Sequence, residues 1–153
     1  MSTQVILPRI LEIGAGASLK IGEIVKNMNC RRPLIVTDKI MQKLGYVERI
    51  RDKLKAVNIA SDVFEDTVPE PTTSSIEAGV ELIKSGRYDV IIGLGGGSPI
   101  DSAKAISILG KYGGQMRDYK FPRLVTEPGL PIIAIPTTAG TGSEATRVTV
   151  ITD

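Results

Sequence analysis

The sequence predicts an α/β fold, a Rossmann-like and mainly parallel sheet flanked by helices. Three observations predict it. Short apolar runs alternate with longer amphipathic stretches along the 153 residues, the rhythm of strand–helix–strand units joined by right-handed crossovers. The run Tyr88-Asp89-Val90-Ile91-Ile92-Gly93-Leu94 is nearly continuous in apolar, β-branched residues, as expected of a strand covered on both faces. It feeds directly into the triplet Gly95-Gly96-Gly97 and a helical pattern, so strand, tight turn and helix are contiguous.

Taken in order, a short strand is expected around Ile10–Ile13, then a helix from Ala17 to Met28. Pro33-Leu34-Ile35-Val36-Thr37-Asp38 reads as a buried strand entered through a proline. From Lys39 to Val57 the apolar residues Ile40, Leu44, Val47, Ile50, Leu54 and Val57 recur at steps of three and four. That spacing gives an amphipathic helix, broken or bent near Gly45. Residues 61–66 form a second strand, and Val68-Pro69-Glu70-Pro71 a stiff connector, because proline fixes its own φ and restricts its predecessor. Thr72 or Thr73 caps a helix with Ile76, Val80 and Ile83 on one face, and Gly86 ends it. After the glycine triplet a helix runs from Pro99 to about Leu109, followed by an irregular stretch from Gly110 to Pro128. Pro131–Ile135 is a further buried strand, Pro136–Thr146 a loop, and Arg147–Thr152 a terminal strand.

Composition narrows the chemistry. A chain of this length with 42% hydrophobic and 24% charged residues is globular in composition and of single-domain size. Nineteen Lys and Arg nearly cancel seventeen Asp and Glu, which argues against a nucleic-acid binder. The lone Cys30 allows no internal disulfide, and neither a leader nor a membrane-spanning run is visible, so a cytoplasmic protein is expected. No histidine is present. That excludes Ser-His-Asp and Cys-His catalysis, and any imidazole metal site, within this chain.

Two motifs carry the chemistry. Gly95-Gly96-Gly97-Ser98-Pro99-Ile100-Asp101-Ser102-Ala103-Lys104 sits between a strand and a helix. Its glycines let a ligand approach the main chain, with Ser98 as N-cap, Pro99 in the first helical position and Asp101 completing a capping pattern. The free N–H groups and the positive end of the helix dipole suit a phosphate or pyrophosphate. The competing reading is a well-capped tight turn with no ligand. The spacing is not the usual G-x-G-x-x-G fingerprint, since the candidate acid, Asp38, lies upstream of the glycines. Asp38 either accepts from a ribose 2′-hydroxyl, favouring NAD over NADP, or simply caps the helix beginning at Lys39. The second motif, Pro136-Thr137-Thr138-Ala139-Gly140-Thr141-Gly142-Ser143-Glu144, packs hydroxyls and glycines after a strand. It either donates to a ligand or bonds to itself. Lys104, one turn inside the helix, either reaches an anionic ligand or, the preferred reading, is a solvated lysine, and Cys30 reads as an inert residue near a helix end.

These segments, with Leu34–Lys39 and Val68–Thr72, occur in order and closely resemble the amino-terminal half of the iron-containing (group III) alcohol dehydrogenases, of the lactaldehyde reductase and 1,3-propanediol dehydrogenase type. The resemblance runs from about Ile10 to Asp153. It implies that residues 1–153 are the dinucleotide-binding α/β domain, and that the family's helical metal-binding domain lies outside this chain. It further implies Asp38 facing the adenosine ribose, and Gly96, Gly97 and Ser98 holding the pyrophosphate. Asp101 would lie toward the nicotinamide, and Thr137, Thr138 and Thr141 would contact the cofactor. Glu70 departs from the Asn that several relatives carry.

By the same resemblance the intact protein would oxidise a small alcohol, or reduce an aldehyde, with NAD(P) and iron or zinc, and a homodimer stays open. This chain alone would bind NAD(H) weakly and without turnover, having no catalytic and no metal-ligating residues of its own. Two other classes stay open at this point: a phosphate- or nucleotide-binding module without redox activity, and a non-catalytic interaction domain.

Overall fold

The computed structural model describes residues 8–120, 123 and 125–152. Four strands form a wholly parallel sheet in the order β2-β1-β3-β4, with β1 Pro33–Val36, β2 Asp62–Phe64, β3 Val90–Gly95 and β4 Ile132–Pro136. Among the described residues five α-helices complete the layers: α1 Ile21–Asn27, α2 Lys39–Lys43, α3 Tyr46–Lys55, α4 Thr73–Lys84 and α5 Gly97–Tyr112.

Alternation along the central strands divides the core in two. Leu34, Val36 and Ile91 face α4 and α5, where they meet Ile76, Val80, Ile83, Ala103, Ile106 and Leu109. Ile35, Val90, Ile92 and Leu94 face the other way, onto Ile21 and Val25 of α1 and Val47, Ile50 and Leu54 of α3. Both faces of β1 and β3 are thus buried, which is why these strands read as continuous apolar runs. Gly93 lets α5 lie against β3, since a Cβ there would come within 3.2 Å of the Ala103 Cβ.

The expected helix over 39–57 is two helices. Gly45 at φ 77 turns the chain between α2 and α3, a backbone conformation that costs glycine little. Thr72 caps α4 through a reciprocal capping box with Ser75, and Gly86 follows it at φ 71. The helix expected from Ala17 begins as a 3-10 turn, Ala17–Lys20, before α1.

Four expectations are corrected. Residues 10–13 form no strand; Ile10, Leu11 and Ile13 are exposed. Residues 147–152 make only one parallel bridge, Thr72 with Thr152, sealed by Thr152 N–H to the Pro71 carbonyl at 2.8 Å. Both segments are rich in apolar, strand-favouring residues, but no neighbouring strand among the described residues lies alongside to extend a ladder. β4 is half-buried rather than buried, because it forms one edge of the sheet and pairs only with β3. It borders a wide groove of about 2150 Å³ that residues 8–14 and 16–19 also line. Finally, α5 starts two residues before Pro99 and extends to Tyr112, so the irregular stretch begins after it.

Candidate dinucleotide site

Chain order and strand order together locate the site. β1 leads through α2 and α3 to β2 on one side, whereas β2 returns through α4 to β3 on the other. The strand order therefore reverses between β1 and β3, and in open parallel sheets ligands bind at the carboxyl ends of such a pair. Asp38 lies two residues beyond β1, and Gly95–Gly97 joins β3 to α5.

The glycine segment is shaped by its neighbours. Gly95 adopts φ 142, and a Cβ on it would fall 2.7 Å from Pro99 Cγ and 3.5 Å from Asp38 Oδ2. The N-cap of α5 is Gly96, not Ser98 as expected, and no side-chain hydrogen bond caps the helix. With the helix beginning at Gly97, Ser98 and Pro99 fall inside its first turn. The first-turn N–H groups have no i−4 carbonyl to bond, and they carry the positive end of a sixteen-residue helix. Pro99 adds no donor but holds a helical φ.

The threonine loop closes over these glycines. Thr137 N–H donates to the Gly95 carbonyl at 2.8 Å, continuing the β3–β4 register one residue past the sheet. A Cβ on Gly96 would lie 3.2 Å from Thr138 Oγ1, and one on Gly97 would lie 3.4 Å from Thr141 Cβ. Thr137, Thr138 and Thr141 are exposed, while Gly96, Gly97 and Ser98 are half-buried. The result is a shallow cradle floored by glycine backbone and edged by hydroxyls, where a side chain on Gly96 would crowd the loop. Its shape and donor set fit a pyrophosphate.

Asp38 caps α2, as one reading of its sequence position expects. Oδ1 caps α2, accepting from Ile40 N–H at 2.8 Å and Met41 N–H at 2.9 Å, while Oδ2 lies toward Gly95. Beneath it, Thr37 Oγ1 donates to the Leu94 carbonyl at 2.8 Å, and Thr67 Oγ1 to the Thr37 carbonyl at 2.7 Å. Both threonines are buried; the Thr37 hydroxyl ties the end of β1 to β3, and the Thr67 hydroxyl ties the segment after β2 to the end of β1, leaving neither hydroxyl unpaired.

Asp101 and Lys104 stand apart from the cradle floor. Asp101 completes no helix cap. Its Oδ1 accepts from Ser143 Oγ and from Lys104 Nζ, its Oδ2 from Val150 N–H at 3.1 Å, and its carbonyl from Thr149 Oγ1 at 2.9 Å. Lys104 is not a solvated lysine: its side chain is 14% exposed. Its ammonium reaches Asp101 Oδ1 at 3.1 Å, Ser143 Oγ at 2.9 Å, Thr146 Oγ1 at 3.3 Å and the Val148 carbonyl at 2.7 Å. Sequence reasoning missed this cluster because its partners lie about forty residues downstream; the only local signal was the i,i+3 Asp-Lys spacing on α5.

Metal chemistry finds no support in the donor set. Among the described residues no group of three or more His, Cys, Asp or Glu side chains is placed to hold an ion, and the chain has no histidine. These residues do not fit a resident iron or zinc. Among the described residues, too, no helix is long and apolar enough to cross a membrane.

The parallel sheet, its switch-point crevice and the flanking helices define a Rossmann-like α/β fold. Residues 8–153 match the sequence profile of the family described as iron-containing alcohol dehydrogenase, and the chain belongs to that family. It is 35% identical over 151 residues to the NAD-dependent methanol dehydrogenase of Bacillus methanolicus, covering 99% of this chain and 40% of that protein. Among solved structures, a 1,3-propanediol oxidoreductase superposes with a TM-score of 0.90 at 31% identity, covering 96% of this chain and 38% of the other. Sulfoacetaldehyde reductase from Bifidobacterium kashiwanohense, solved in complex with NAD+, superposes with a TM-score of 0.85 at 31% identity, covering 95% of this chain and 39% of the other. The chain thus spans about two fifths of the length of these relatives.

Proposed function

We propose that residues 1–153 are the dinucleotide-binding domain of an NAD(H)-dependent alcohol dehydrogenase whose metal ligands lie outside this chain. The observation that carries the reading is the crevice itself: Asp38 Oδ2 stands 3.5 Å from the Cβ position of Gly95, beside a glycine floor edged by Thr138 and Thr141. A carboxylate next to a phosphate cradle suits a ribose hydroxyl and repels a 2′-phosphate. Relatives named as NAD-dependent or solved with NAD+ support the same cofactor.

In this reading the N–H groups of Gly97 and Ser98 and the hydroxyls of Ser98, Thr138 and Thr141 hold the pyrophosphate. Asp38 Oδ2 orients the adenosine ribose while Oδ1 keeps α2 capped. Thr137 carries the loop into register through its backbone. Asp101 contributes by holding the segment after the loop, since its carboxylate oxygens already accept three hydrogen bonds. When bound, NAD supplies the hydride acceptor for an alcohol, a two-electron oxidation to the aldehyde or ketone. The chain has no histidine and, among its described residues, no ion-binding cluster to polarise that alcohol, so the 153-residue chain holds NAD(H) without turning alcohol over.

Titration of the chain with NADH, followed by nicotinamide fluorescence, tests the reading. Saturable binding that ADP-ribose competes away, weaker binding of NADPH, and no alcohol-dependent NAD reduction are expected. Equal competition by inorganic phosphate or a sugar phosphate would instead assign a general phosphate-binding module.

A further inference from the structure

Lys104 ends in an ammonium with three hydrogens, yet four acceptors lie within 3.3 Å of it. One acceptor, Asp101 Oδ1, is on its own helix. The other three, Ser143 Oγ, Thr146 Oγ1 and the Val148 carbonyl, belong to the segment that follows the threonine loop. Ser143 is buried, and Lys104 and Asp101 are 14% and 13% exposed in their side chains, so the charges pair in a protected setting where unpairing is costly. The other end of the loop is moored independently, by Thr137 N–H on the Gly95 carbonyl. Between the two moorings lie Thr138 and Thr141, the residues that edge the glycine cradle, and two glycines at positive φ, Gly140 and Gly142. Thr141 is linked onward to the second mooring, because Ser143 N–H reaches its Oγ1 at 3.5 Å.

Resting on the dinucleotide reading above, we propose that Lys104 is a positioning residue. It acts through Ser143, the Thr146 hydroxyl and the Val148 carbonyl to hold Thr138 and Thr141 over the pyrophosphate cradle, and it does not touch the ligand. Removing the ammonium loosens one end of the loop, leaving Ser143, Thr149 and Val150 on Asp101 as its remaining ties, with the glycine floor and Asp38 in place.

A double-mutant cycle on ADP-ribose affinity tests this, with Lys104→Met, Thr141→Val and the pair, and with Lys84→Met, whose partner Glu81 is on the exposed face of α4, as a charge control. Lys104→Met and Thr141→Val each weaken binding by about tenfold. The double variant is weakened by about the same tenfold, and Lys84→Met binds as the parent chain does. Additive losses, about a hundredfold in the double variant, would overturn the proposal, because they would mean that Lys104 acts on the ligand independently of the loop. Amide hydrogen exchange without ligand gives the second readout: exchange over 138–146 accelerates in Lys104→Met while β3 stays protected. Unchanged exchange in that loop would also overturn it. If the parent chain binds neither ADP-ribose nor NADH, the dinucleotide reading fails, and the exchange result alone still decides whether Lys104 moors the loop.

Discussion

Asp38 and Gly95, fifty-seven residues apart in sequence, meet at the carboxyl end of the sheet, with Asp38 Oδ2 3.5 Å from where a Gly95 Cβ would stand. The contact follows from topology: β1 and β3 are paired in register, Val36 against Gly93, so the residues just beyond each strand emerge together. Asp38 divides its two oxygens between the helix and the crevice, and the two tasks can be separated.

Asp38→Asn separates them. Asparagine caps a helix about as well as aspartate, so Tm should stay within about 2 °C of the parent, a change of under 1 kcal/mol. The repelling charge is lost, so the preference for NADH over NADPH should narrow. Asp38→Ala should lose both the cap, about 1 kcal/mol, and the ribose contact. Thermal melts alongside NADH and NADPH titrations check the pair of variants.

The glycines differ in what they tolerate. Gly97 is in ordinary helical backbone, and its Cβ position meets Thr141 Cβ at 3.4 Å, a normal contact. Gly97→Val should therefore fold, with stability changed by only about 0.5 kcal/mol, while its methyls fill the cradle and lower NADH affinity at least about tenfold. Gly95→Ala is different. Its φ of 142 and the 2.7 Å approach to Pro99 Cγ should cost about 1–3 kcal/mol, read as a lower denaturation midpoint.

Glu70 is held at φ 52 between Pro69 and Pro71. A left-handed backbone costs an ordinary L-residue roughly 1–2 kcal/mol, and asparagine visits it more readily. Glu70→Asn should thus stabilise the chain by about 1 kcal/mol, raising Tm by about 2–4 °C. Calorimetry on the two proteins decides it, and an unchanged or lower Tm would contradict the strain assignment.

Cys30 is buried, and burial pushes its thiol up first, with the Asp89 charge adding to it. A thiol whose folded value is raised stabilises the fold where the unfolded thiol would still be protonated. That contribution is lost as pH rises through the folded value. Stability of the parent relative to Cys30→Ala should accordingly fall at alkaline pH and stay constant near neutrality. Alkylation by iodoacetamide at pH 8 should be slow in the native chain and fast in denaturant.

Much of this was legible in the sequence because the signals were local. Gly45 breaks a helix, Thr72 caps one, and the alternating faces of Leu34, Ile35 and Val36 follow from strand period alone. What was not legible depended on distant partners. Residues 10–13 and 147–152 carry strand-like patterns, but a strand needs a neighbour to bond, and local pattern does not supply one. Ser98 looked like a cap because serine usually is one; here Gly96 takes that place and the helix begins early. Lys104 looked solvated because nothing within its own helix except Asp101 announces Ser143, Thr146 and Val148. The half-burial of β4 likewise depends on what lies beyond its edge rather than on its own apolar residues.

The central claim is that the Asp38, Gly95–Ser98 and Thr137–Thr141 segments form an NAD(H) crevice. Parallel titrations of the folded 153-residue chain with NADH and NADPH test it most directly. The account predicts saturable NADH binding, weaker NADPH binding, and loss of the former in Gly97→Val with Tm preserved. A folded chain that binds neither nucleotide, or one in which Gly97→Val binds NADH as the parent does, would contradict it.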